Sequence, residues 1–238
     1  MSADPGLMAS YATPPILEAS ITISISNLPP ERYALLGMVG QKLGDAYPRA
    51  ELLSEFRAGF LDLEPGTHGM AFTSRDGRCV VQARSDGFTF GQLKPYSGWD
   101  IFLDGAQSAW QAYKSVVSPI ELRRLRVKYV NSIPFPLGIP LEKLFNTFPK
   151  MPDQSVLLES LSMHYRYAVE EIPRMIASVL MMNNGTPEES GRMLLDNTFT
   201  VPVRDDDDIW RLLPSIRKLK NDLFESQLTQ SLKETFNG

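Results

Sequence analysis

Apolar and polar residues alternate strictly over Ile21, Thr22, Ile23, Ser24 and Ile25, the period-two pattern of a strand with one face in a core. The pattern predicts a half-buried strand over Ile16 to Ile25. Asn27, Pro29 and Pro30 then stop the strand and open a helix, because proline fits the first helical turn but cannot donate to a sheet ladder. Tyr33, Leu36, Val39 and Leu43 follow at helical spacing until Tyr47 and Pro48. Three strands are expected next, Leu52 to Leu63, Gly69 to Ser74 and Arg78 to Leu93, separated by the turn pairs Pro65-Gly66 and Asp76-Gly77. Asp86-Gly87 inside the last of them reads as a bulge or bend. The segment Trp99 to Val117 places Trp99, Phe102, Leu103, Ala106, Trp110 and Tyr113 on one helical face, and Ser118-Pro119 closes it.

The same order recurs. A strand from Leu122 to Ile133 precedes a helix from Leu141 to Phe148, bounded by Pro149. Strands follow at Leu157 to Val169, Arg174 to Met182 and Gly191 to Val203, and then an amphipathic helix from Ile209 to Phe224. Asp196-Asn197 and Trp210 stand at nearly the same spacing from Asp86-Gly87 and Trp99, and glycine and asparagine both tolerate positive φ. The expected fold is therefore α+β. Duplicated strand-helix-three-strand-helix units would form one antiparallel sheet with helices on one face, in a plan that resembles the TATA-binding-protein-like fold. The expected divisions are a flexible N-terminal tail over 1–14, a first repeat over 15–118, and a second over 119–238 that shares the first repeat's core.

Composition narrows the function classes. A formal net charge of -4 and a pI near 5.3 provide no global positive field for nucleic acid or an anionic membrane. One cysteine, Cys79, excludes an intrachain disulfide and a multi-thiolate zinc site, and the two histidines, His68 and His164, lie far apart in sequence. No apolar run is long enough to span a bilayer, so a cytoplasmic protein with no membrane association is expected. Phosphate-loop, dinucleotide, nucleophile-elbow and zinc-helix motifs are all missing from the sequence, so no catalytic residue, metal or cofactor is assigned.

Several clusters remain. Asp205 to Asp208 precede a helix, where carboxylates cap free N–H groups, and adjacent side chains cannot all face one ion. Arg124, Arg126 and Lys128 point to one side of a strand and make a basic stripe suited to phosphate, with Tyr129 on the opposite side. The plainer reading is a solvated face balanced by carboxylates such as Glu121 and Glu159. Tyr96, Trp99 and Trp110 form either a core or an aromatic platform, and helical spacing favours core.

The segments Pro15-Ile16-Leu17-Glu18-Ala19, Gln82 with Asp86, Phe88 and Phe90, and Leu93 with Tyr96 and Trp99 together resemble a sporadically distributed prokaryotic family of uncharacterised proteins of about this length. The resemblance runs from Pro15 to about Phe148 and is clearest from Arg126 through Asn131, where the family tends to show Arg-Tyr, a hydrophobic residue and Asn. Here the residues are Lys128-Tyr129-Val130-Asn131, so an ammonium replaces the planar guanidinium fork. The family's patchy occurrence resembles that of mobile defence or toxin–antitoxin cargo. A non-enzymatic interaction subunit of antitoxin-like, immunity or antiviral-defence type is the expectation, with a protein partner encoded nearby and a homo-oligomer left open. The alternative is a nucleotide or nucleic-acid binder or hydrolase that uses Arg124, Arg126, Lys128, Tyr129 and Asn131.

Overall fold

The isoleucine run forms the first of two strands at the middle of the sheet, and everything else is arranged around that pair. The computed structural model describes residues 11, 14–53, 68–135, 139–149, 161–183 and 191–236. Among them β1 (Ile16–Ile25) leads through a 3-10 turn to α1 (Ala34–Leu43), followed by β2 (Arg49–Leu52), β3 (Gly69–Thr73), β4 (Cys79–Arg84), β5 (Gly87–Leu93) and α2 (Trp99–Val117). The second half contains β6 (Leu122–Phe135), β7 (Ser162–Ala168), β8 (Ile176–Asn183), β9 (Gly191–Pro202), α3 (Asp206–Gln227) and the short α4 (Gln230–Glu234). The fold is α+β, with one nine-stranded open sheet in the order β2-β3-β4-β5-β1-β6-β9-β8-β7. Every neighbouring pair is antiparallel.

One row of register partners crosses the sheet. It runs Phe72, Val81, Phe90, Ile21, Val127, Phe199, Ala177 and Tyr167, one residue from each strand from β3 to β7. Ile21 pairs with Val127 at the centre, and outward from there the row meets a phenylalanine, a small aliphatic residue and an aromatic residue on each side. The strands follow one another in the same sequence on both sides, except that β2 has no counterpart among the described residues.

Side chains on this row and its register neighbours face the helices. Ile21, Ile23 and Phe90 share a core with Leu36 of α1, Phe102 of α2 and Leu213 of α3, so all three helices cover the same face. Full burial of a phenylalanine such as Phe102 stabilises by roughly 1.5–3 kcal/mol. A second apolar cluster, including Phe145, Val179, Met181, Phe224 and Leu228, lies under the end of α3 and α4. Tyr11 packs edge-on against Phe224 and Phe236 there, and its hydroxyl donates to Glu225.

Several expectations are corrected. β1 is buried on both faces rather than one: Glu18, Ser20 and Thr22 are all under 10% exposed. Thr22 meets Thr89 hydroxyl to hydroxyl at 3.0 Å, which satisfies two polar groups that the alternation alone assigns to water. The expected strand Arg78 to Leu93 is the hairpin β4–β5, turned at Ser85-Asp86. Gly87 follows that turn at φ 154°, and a Cβ there would lie 2.4 Å from the Ile23 carbonyl, so only glycine fits so close to β1. Asp196-Asn197 sits mid-strand in β9, so the two dipeptides do not mark equivalent bends. Nor do the tryptophans correspond: Trp99 opens α2, whereas Trp210 lies a turn into α3. The helix expected over Leu141 to Phe148 reduces to a 3-10 turn at Leu141–Lys143. Phe145 instead bridges to Leu228 while Asn146 donates to the Ser226 and Leu228 carbonyls, so the backbone there is tied to the end of α3 rather than to a helix of its own. β2 starts earlier than expected and its predicted continuation, with the Pro65-Gly66 turn, lies outside the described residues, as does the start of the strand placed at Leu157.

Candidate functional site

β6 carries the basic stripe, and its register settles which way each residue faces. Arg124, Arg126 and Lys128 lie opposite Ser24, Thr22 and Ser20 of β1 and opposite Pro202, Thr200 and Thr198 of β9, on the face away from the helices. Arg124 is exposed, Arg126 half-buried and Lys128 only 6% exposed. Lys128 Nζ stands 3.4 Å from Asp196, whose other oxygen accepts from Thr198 at 2.9 Å. Glu121 pairs with Arg123, and Glu159 lies outside the described residues. The same face holds Arg84, buried and forked onto Asp86, and Gln82, wholly buried with no hydrogen bond to either amide atom.

Tyr129 and Asn131 fall on the opposite, helix-covered side, so the five residues do not form one binding surface. Asn131 is buried and donates to the Leu195 carbonyl at 3.3 Å. The Tyr129 hydroxyl lies 3.1 Å from that of Tyr96, and burial holds both phenols protonated, Tyr96 being pushed up to about 12. α3 adds two cations above these rings: Lys220 Nζ is 4.3 Å from the Tyr129 centroid and the Arg217 guanidinium 5.6 Å from that of Trp99. Desolvation, helped by the neighbouring Arg217 charge, lowers Lys220 to about 8. Beside them Asn197 and Gln227 exchange amide hydrogen bonds at 3.3 and 3.4 Å. The aromatic cluster thus packs α3 against α2 and β6. Trp110 is fully buried and donates to Asp206 at 3.2 Å.

The aspartate run behaves as a cap. Asp205 accepts from the Asp208 backbone N–H at 2.8 Å, and Asp206 also pairs with Lys114 of α2. Among the described residues, no group of three His, Cys, Asp or Glu side chains is placed to hold a metal ion. No helix among them is long and apolar enough to cross a membrane.

A shallow concavity lies on the helix side, between α3 and the outer strands β7 and β8. It has a volume of about 600 Å³, with Phe199 and Ala177 on its floor, Leu219 and Leu223 on its α3 wall, and Tyr167 at its outer side. Glu170, Glu171 and Asp222 stand on its rim. None of these residues is among the candidates read from the sequence. The available signal is in α3: Ile209, Leu213 and Ile216 suffice for a buried stripe, and Leu219 with Leu223 widens it beyond what one sheet contact needs.

No family model matches the chain, and no curated protein matches it.

Proposed function

We propose that the chain is a non-enzymatic subunit that binds a protein partner through the groove between α3 and the β7–β8 edge. One observation carries this reading. Tyr167 is 45% exposed, whereas Phe72, which holds the mirror position in the cross-sheet row, is 2% exposed beneath α1. The Tyr167 ring is half-exposed beside the half-buried Leu219 and Leu223 of α3, whereas its mirror counterpart is covered by a helix, and exposed apolar side chains grouped in this way mark interaction sites. The resemblance to a patchily distributed family fits an antitoxin, immunity or antiviral-defence assembly.

Two finer readings accompany it. The symmetric row centred on Ile21 and Val127 supports descent of both halves from one unit on a TATA-binding-protein-like plan. Nucleic-acid binding is the weaker alternative, since of Arg124, Arg126 and Lys128 only Arg124 is exposed and Lys128 faces Asp196.

Co-expression with the products of neighbouring genes tests the main reading. A stoichiometric complex by size-exclusion chromatography with light scattering is expected, and Tyr167→Glu should dissociate it. Recovery of the wild-type chain alone from every such pairing would overturn the proposal.

A further inference from the structure

We infer that Arg217, Lys220 and Asn221 of α3, together with the start of α2, form a site for a phosphate group, free or carried as a monoester. The site is separate from the groove and stands or falls without the partner reading. Three observations carry it.

The first is a charge without its opposite. Lys114, Lys128 and Lys233 are half-buried or buried, and each meets a carboxylate, of Asp206, Asp196 and Glu225 respectively. Lys220 is half-buried as well, yet among the described residues no carboxylate pairs with it, and its Nζ lies over the Tyr129 ring. The charge that acts on it is that of Arg217, three residues earlier on the same face of α3 and of the same sign. Two cations held together at the edge of an aromatic cluster repel one another, and an anion between them reverses the sign of that interaction.

The second is Asn221, which helical spacing places beside Arg217. It is 8% exposed, and its Oδ1 has no hydrogen-bond partner. A buried amide left so is costly, and the same density of contacts admits the amide turned end for end, with its NH2 group in that place to donate to a phosphate oxygen. The third is access. Arg217 is exposed and Lys220 half-buried, so an ion reaches both from solvent and needs no internal void. The Arg217 guanidinium lies over Trp99, beside the start of α2, where no side chain caps the free N–H groups. Asp100 in that first turn opposes an anion and limits its affinity. A phosphate group carries close to two negative charges near neutral pH, which matches the two cations, whereas a carboxylate balances one.

Calorimetric titration of the full chain with inorganic phosphate at fixed ionic strength tests the site. Saturable binding of one phosphate per chain is expected, with acetate bound roughly tenfold more weakly or less. Lys220→Met and Arg217→Ala should each weaken phosphate by about tenfold or more, whereas Lys218→Ala, which removes an exposed lysine paired with Asp222, should leave it nearly unchanged. Circular dichroism checks that the variants remain folded, and Arg217→Ala, at an exposed position, decides the matter if Lys220→Met does not fold. Phosphate affinity should also fall severalfold between about pH 7.5 and about pH 9.5, as Lys220 loses its proton. Burial keeps Tyr96 and Tyr129 protonated across that window, and an arginine and an aspartate do not change charge within it. A parallel titration with phenyl phosphate distinguishes the sources: tighter binding than inorganic phosphate assigns the site to a monoester, weaker binding to the free ion. Binding that does not saturate, acetate equal to phosphate, equal losses in the Lys218 and Lys220 variants, or an affinity indifferent to Lys220→Met would overturn the inference.

Discussion

Phe72 and Tyr167 take the same place in two halves of one sheet, and their surroundings differ in a single layer. Above Phe72, α1 closes the sheet; beside Tyr167, α3 provides one wall and nothing among the described residues closes the other. The strands beneath are matched position by position, because a shift of one residue would turn every buried side chain to the wrong face. Helices face no such constraint. Among the described residues, the stretch after β6 forms a 3-10 turn at Leu141–Lys143 where the stretch after β1 forms α1. Within one chain, the comparison teaches that pairing is held tightly and cover is free to change.

Alanine at the two mirror positions offers the sharpest way to break that comparison. Phe72→Ala should cost about 3–5 kcal/mol in chemical denaturation, as expected when a buried phenylalanine leaves a cavity. Tyr167→Ala should stay within about 1 kcal/mol, since its ring is half in water already. Equal losses would mean that the second half is closed after all.

Lys220 comes next in size. Its folded value of about 8 lies below its ordinary 10.5, so the unfolded chain holds the proton more tightly between those limits. Unfolding free energy should therefore rise as pH increases from about 8 to about 10.5, by up to roughly 3 kcal/mol at about 1.4 kcal/mol per pH unit. Below pH 8 the cost of holding a charged ammonium among aromatic rings is present in full. Lys220→Met should flatten this part of the curve, and an unchanged slope would show that the ammonium is not desolvated as described. The smallest effect concerns the start of α3. Asp205→Ala removes the acceptor for the Asp208 N–H and should cost about 1 kcal/mol, whereas Asp205→Asn should retain most of it.

Much of the scaffold is legible from local pattern. Helix α2 runs from Trp99 to Val117 as its apolar spacing predicts, because its stripe, its closing Ser118-Pro119 and its burial all agree. The two-residue period also places Arg124, Arg126 and Lys128 on one face. What escapes local pattern is decided by partners far along the chain. Thr22 and Ser20 have the spacing of solvent-facing residues, yet both are buried, and Thr22 finds a hydroxyl partner in Thr89 across the pairing with β5. Asp86-Gly87 has the composition of either a bulge or a turn, and only pairing of Arg84 with Gly87 distinguishes them. The groove escapes for a different reason: its walls, α3 and the β7–β8 edge, come from segments far apart in the chain, and no local pattern joins them.

The pairing of β1 with β6 has a consequence for any attempt to cut the chain in two. Their register runs from Ile16 opposite Asn131 to Ile25 opposite Leu122, so the seam between halves is a full-length ladder through the middle of the sheet. A first half produced alone would leave one whole side of β1 as an open strand edge, rich in isoleucine, and open edges of that kind recruit other chains. Its simplest closure is antiparallel pairing of β1 with β1 of another copy. Fragments ending near Ser118 should therefore assemble in pairs or aggregate rather than persist as small folded monomers, and the link between Val117 and Leu122 makes that pairing intramolecular in the intact protein.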